Sequence, residues 1–182
     1  MARWNLSCPL GILSRRILKR LPEVAKLVAP RVQTAVLKTL WNKWTTAARF
    51  QNQAACVLNC SKAVDALGQP LAQDKIEHYL ICPFTKHLLN VRFGLHAESA
   101  SKNHLLFAAD GLMEHPDKVT LLAVTCYVVM RATNNFRKQP PSSAEVVFDF
   151  LEEASKAAVA GHQASQSVLQ HSRASTYRHG RK

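Results

Sequence analysis

Apolar positions recur with helical period along most of the chain. Between Arg31 and Arg49, residues Val32, Val36, Leu37, Leu40, Trp41 and Trp44 fall on one stripe, which predicts a helix over that stretch. A shorter periodic stretch from Ile12 to Arg20 precedes it, and Pro22 and Pro30 bound the segment between. Further on, Phe84 to Phe93 reads as helical, as does Ser101 to Met113, with Ser101 or Asn103 as cap and Gly111 near its end. From Asp117 to Phe136 the chain is apolar almost all round through Val119, Leu121, Leu122, Val124, Tyr127, Val128 and Met130. That pattern predicts a buried central helix, with a strand inside it as the alternative. Its uninterrupted apolar run of about ten residues falls short of the roughly 20 that a bilayer requires, so no membrane span is expected. Gln139-Pro140-Pro141 breaks the chain, and Ser142-Ser143-Ala144-Glu145 then opens a helix to Ala160, stopped by Gly161. Val146, Val147, Phe150, Leu151 and Ala154 form its inner face.

The expected fold is mainly α: a small helical domain over residues 31–161, with a basic extension over 1–30 and a basic, disordered tail over 162–182. A length of 182 residues suits one such domain, and 47% hydrophobic content supplies a core.

Charge changes the picture. The net charge of +12 makes the surface a polycation, whose usual partners are nucleic acids or anionic membranes. Residues 1–50 hold ten Lys and Arg against the single acid Glu23, about three quarters of the excess. Within the predicted 31–49 helix the polar face carries Arg31, Lys38, Lys43 and Arg49, spaced to follow a phosphate backbone. Trp41 or Trp44, and of the two Trp44, could stack on bases, although tryptophans at this spacing also serve as core anchors. A second basic stretch, from His171 to Lys182, contains no acid.

Candidate chemistry concentrates in Cys56, Cys60, His78 and Cys82. Three residues separate the members of each pair and seventeen separate the pairs, a spacing that lets two halves of a tetrahedral Zn²⁺ site fold together. Asp74-Lys75-Ile76-Glu77 has the form of a capping box that starts a short helix. His78 and Cys82 then sit one turn apart on one face, and Pro83 stops that helix or begins the next. The first pair, Cys56-Val57-Leu58-Asn59-Cys60, lacks the glycine that often turns backbone amides toward the thiolates. The alternative is that these are thiols of an ordinary helical core. Five cysteines with no signal-peptide pattern point to a reducing compartment, and leave Cys8 and Cys126 without a role.

Catalytic patterns are missing from the sequence. The eight histidines, among them His87, His96, His104 and His115, accompany no nucleophile motif, and six glycines include no phosphate-binding loop. Glu152-Glu153 beside Lys156 reads as a solvated helix face. Four protein ligands would also close the zinc coordination sphere to a reacting water. No enzyme is expected.

The run Trp41-Asn42-Lys43-Trp44-Thr45-Thr46-Ala47-Ala48-Arg49-Phe50-Gln51, the Cys-x3-Cys pair, and Asp74-Lys75-Ile76-Glu77-His78-Tyr79-Leu80-Ile81-Cys82-Pro83 together carry a resemblance. They look like the C-terminal zinc-knuckle region of non-LTR retrotransposon reverse-transcriptase polyproteins, in which a basic helix leads into a Cys-Cys-His-Cys knuckle. The resemblance covers about residues 31–170 and does not extend to residues 1–30. It implies binding of template RNA or target DNA, without the polymerase or endonuclease domain. The expected function is therefore a retroelement-derived, non-catalytic nucleic-acid binder with a structural zinc, in the nucleus or cytoplasm. Two alternatives stand beside it. One is a structural subunit of a mitochondrial ribonucleoprotein or other large assembly, with the basic start as an import signal. The other is a retroelement remnant without function.

Overall fold

The computed structural model describes residues 10–95, 105–107, 109 and 111–160. The architecture is mainly helical. Helix α1 spans Leu10–Leu27, α2 Pro30–Leu40, α3 Ile76–Tyr79, α4 Pro83–His87 and α5 Pro116–Lys138. A final helix, α6, covers 144–160. Among the described residues there is no strand, only two isolated bridges, Ala55 with Gln73 and Val64 with Pro70.

Helix α5 is the axis of the core. Its buried positions include Val119, Leu122, Val124, Cys126, Val128, Val129, Ala132 and Phe136, so it is covered on nearly every side, as its all-round apolar pattern requires. Helix α2 packs along it more extensively than α1 does. Pro30 opens α2 at the first helical position, where its missing N–H costs no bond. Helix α6 begins one residue after Ser143, whose Oγ accepts a hydrogen bond from the Val146 N–H at 3.4 Å. Val147, Leu151, Ala154 and Ala158 are buried, whereas Val146, expected on this inner face, is exposed. No described helix is long and apolar enough to cross a membrane.

Several expectations change. Residues 10–30 are not an extension outside the domain: Ile17, Val24 and Val28 stand at helical spacing and are all buried in the common core. Arg20 fastens the same helix by donating to the carbonyls of Phe107 and Ala109, each at 2.7 Å. Pro22 lies within α1 rather than ending it. Pro22 and Leu18 are both exposed, so the carbonyl that loses its helical partner can turn to water. We expect Ile17→Ala to cost about 2–5 kcal/mol in chemical denaturation, a loss that an appended extension would not show.

The helix predicted over 31–49 stops at Leu40. Asn42 adopts a left-handed conformation (φ 51°) and the Lys43 N–H folds back to the Lys38 carbonyl, so the chain reverses. Only a short turn, Ala47–Phe50, follows. The helix predicted over 84–93 starts at Pro83 and loosens after His87 into a wider π turn, Leu88–Arg92. Part of the predicted 101–113 helix, including both candidate caps, lies outside the described residues. Leu105, Leu106 and Phe107 are buried, and Leu112–Glu114 is a single short turn. Cys8, His96, His104 and the tail 162–182 also lie outside the described residues.

Candidate metal centre

The two ligand pairs reach one point by different means. In the first, Ala54 to Cys56 pairs with Ala72 to Asp74 through the Cys56 N–H to the Ala72 carbonyl and the Asp74 N–H to the Ala54 carbonyl, both 2.7 Å. The Asn59 N–H then closes a turn on the Cys56 carbonyl at 2.9 Å, and Asn59 itself has φ 54°. Asparagine is the residue other than glycine that best tolerates that region. Asn59 therefore performs the backbone reversal for which the sequence offered no glycine.

In the second pair, His78 lies in the four-residue α3, and Cys82 caps α4 ahead of Pro83. The two are not on one continuous helix. A tight turn at Leu80 and Ile81, closed by the Ile81 N–H on the His78 carbonyl at 2.9 Å, keeps them adjacent.

The result is one cluster. The donor atoms of Cys56, Cys60, His78 and Cys82 all lie within 4.8 Å of one another, and Cys60 Sγ stands 3.2 Å from His78 Nε2. Metal–sulfur and metal–nitrogen bonds of about 2.3 and 2.0 Å put the edges of a tetrahedral site at roughly 3.5–3.8 Å, so small side-chain movements close the set on an ion. Cys56 and Cys82 are buried, while Cys60 and His78 are half-buried. These four residues can hold a metal ion, and the donor set of three thiols and an imidazole suits a soft or borderline cation.

Electrostatics point the same way. The Cys82 thiol, hydrogen-bonded to Cys56, pulls Cys56 down to about 4 against the opposing effect of burial, with His78 assisting. Burial, then the Cys56 charge, pushes Cys60 up to about 11. Cys82 is held far above the ordinary thiol range by its bond to Cys56 and by burial. Three crowded thiols thus accommodate one negative charge by themselves; a divalent cation is what would let all of them ionise.

A buried polar network, not visible in the sequence, fixes the centre to the core. Asp74, only 3% exposed, does not cap α3; Lys75 occupies the cap position with no side-chain bond. Instead both Asp74 oxygens accept from Arg137 Nη2, at 2.8 and 2.9 Å. Tyr79 Oη donates to Asp74 at 2.7 Å and accepts from the Val57 N–H at 3.1 Å, and the Ala47 N–H reaches Asp74 Oδ2 at 2.8 Å. A buried carboxylate needs such compensation, which a cap at a helix end would not provide. Burial, the Cys56 charge and donation to Asp74 keep the Tyr79 phenol protonated far beyond its usual range. The chain of contacts runs from α5 through Asp74 and Tyr79 to the backbone between Cys56 and Cys60. An ionic bond across 63 residues leaves no local signature that could have revealed it.

No family model, curated protein or solved structure matches this chain.

The basic residues ahead of the centre divide. Lys38, Lys43 and Arg49 are exposed, and no acid occurs between Glu23 and Asp65. Arg31, also exposed, donates to the Ala157 carbonyl at 2.8 Å and lies over the Tyr127 ring, tying α2 to α6 and α5. Trp44 cannot stack on bases: it is 2% exposed, lies against Tyr79 with ring centroids 6.1 Å apart, and its Nε1 donates to Thr39 Oγ1 at 3.1 Å. The reversal at Asn42 places Trp44 inside and leaves Trp41 51% exposed. Phe50, which the sequence did not single out, is 59% exposed with Arg49 over its ring. His87 packs on Phe148, with centroids 4.3 Å apart, rather than joining the ligand cluster. Cys126 is a core residue whose thiol is pushed up to about 12 by burial.

Proposed function

We propose that this chain is a retroelement-derived, non-catalytic nucleic-acid-binding protein whose fold is organised by one structural zinc. The observation that carries the reading is the convergence of three thiols and one imidazole beside an acid-free stretch of exposed cations. Zinc is the preferred ion because it accepts four N and S ligands in tetrahedral array, and four protein ligands leave no position for a substrate or an activated water. The ion would hold the segment between the ligand pairs, and Lys38, Lys43 and Arg49 would meet phosphate. The run from Trp41 to Gln51, the Cys-x3-Cys pair and the run from Asp74 to Pro83, which together resemble a retrotransposon knuckle region, include Lys43, Arg49 and all four ligands.

Binding of this kind is governed by counterion release, with little sequence preference. For the zinc-loaded protein, affinity for a labelled 20-mer, followed by fluorescence anisotropy, should fall steeply as salt rises. The combined substitutions Lys38→Gln, Lys43→Gln and Arg49→Gln should flatten the slope of log affinity against log salt by about 2, at about 0.7 per lost phosphate contact on a single strand. Absence of binding at micromolar protein, or affinity insensitive to salt, would remove this reading.

A further inference from the structure

Resting on the nucleic-acid reading above, we propose that the surface from Trp41 to Phe50 is a stacking platform that selects single-stranded over duplex nucleic acid. Duplex bases already stack on one another and offer no free face, whereas the bases of a single strand can lie on an exposed aromatic ring beside a cation that meets the adjoining phosphate.

This surface has both parts. Trp41 closes the C-terminal end of α2, and the chain reversal there leaves half of its side chain in solvent. Phe50 ends the turn at Ala47–Phe50, with more than half of its side chain exposed. Between them, Trp44 and Thr46 are buried and act as roots for the connection. The Ala47 and Ala48 N–H groups bond to Asp74, at 2.8 Å to its side chain and 3.2 Å to its carbonyl, so the turn that presents Phe50 is fixed to the same carboxylate that braces the metal centre. Lys38 lies one turn before Trp41, Lys43 two residues after it, and Arg49 stands 5.9 Å from the Phe50 ring centre. A base stacking on that ring would displace the guanidinium now lying over it toward the adjoining phosphate, and the sequence from 24 to 64 carries no acid.

The experiment compares a mixed-sequence 20-mer of DNA, its RNA counterpart and the corresponding DNA duplex, using zinc-loaded wild type, Trp41→Ala, Trp41→Phe and Phe50→Ala. Zinc content and thermal melting are checked for each, and the exposure of both side chains makes intact folding the expected result. Single strands should bind more tightly than duplex. Trp41→Ala and Phe50→Ala should each weaken single-strand binding about 5- to 150-fold, with the salt slope and duplex binding unchanged. Trp41→Phe should retain most of the affinity, because a smaller aromatic still stacks. The DNA and RNA arms report which strand chemistry is preferred. Equal affinity for single strand and duplex, or alanine variants that bind single strands as wild type does, would overturn the platform. If in that case the Lys38, Lys43 and Arg49 substitutions still weaken binding, the electrostatic reading survives alone. If wild type binds none of the probes, both fall.

Discussion

Withdrawing zinc with a strong chelator, or replacing Cys82 by serine, is expected to unfold the segment from Ala54 to Cys82 and lower the melting temperature of the whole domain sharply. Elemental analysis should find one zinc per wild-type chain and none in Cys82→Ser, with circular dichroism reporting the loss of structure. The reason is how little regular structure this segment has. Its regular structure consists of two isolated bridges and one four-residue helix, and a helix that short has no stability of its own. Yet it supplies Leu58, Ile76, Tyr79 and Leu80 to the core, all buried. Apparent binding free energies of structural zinc are about 10–16 kcal/mol, comparable with the roughly 5–15 kcal/mol of a whole domain. Loss of the ion therefore reaches beyond the ligands. A fully metal-free protein with unchanged melting would show that the four residues are only packing.

Loading is also expected to release protons. Cys60, up at about 11, and Cys82, higher still, carry their protons near neutral pH in the metal-free protein, whereas Cys56, at about 4, does not. Zinc takes thiolates, so about two protons should leave per ion, and affinity should weaken as pH falls. Calorimetry in buffers of different ionisation enthalpy measures the number directly.

The second large effect is expected from Arg137→Met. It leaves the Asp74 carboxylate, 3% exposed, with only neutral donors, and an orphaned buried charge costs about 3–5 kcal/mol. Arg137 is itself 26% exposed, which places the expected cost toward the lower end of that range. Removing both charges with Asp74→Asn and Arg137→Met should cost less than the two single changes added together, because neither leaves the other unpaired. Urea denaturation of the four proteins gives the coupling. Arg137→Met should also loosen zinc retention, since Asp74 positions Tyr79 and Tyr79 holds the Val57 N–H inside the first ligand pair. Strict additivity with unaltered zinc retention would mean that Arg137 is a surface residue with an incidental contact.

Much of this could be read from local pattern. A helical class, the central helix from Pro116, the helix beginning after Ser143 and the four ligand positions all follow from residue spacing. Where the reading failed, two arrangements had equal local support. Trp41 and Trp44 both fit an apolar stripe, and only the reversal at Asn42 decides that Trp44 enters the core and Trp41 meets solvent. Asp74 fits a capping box three residues before Glu77, but a buried carboxylate takes the strongest partner within reach, and that was Arg137.

Spacing along the chain thus determined what depends on the chain alone: which stretches can be helical, and which four side chains are soft enough and suitably separated to share an ion. Tertiary structure decided whatever depends on competition for burial. It brought Ile17 and Val24 of the basic N-terminal helix into the core, let Asn59 stand where a glycine would be expected, and chose Trp41 rather than Trp44 for the surface. Helical period and ligand spacing are short-range properties carried by neighbouring residues. Core membership and buried ion pairing are settled only when distant segments exclude water from one another, and no single segment encodes that outcome.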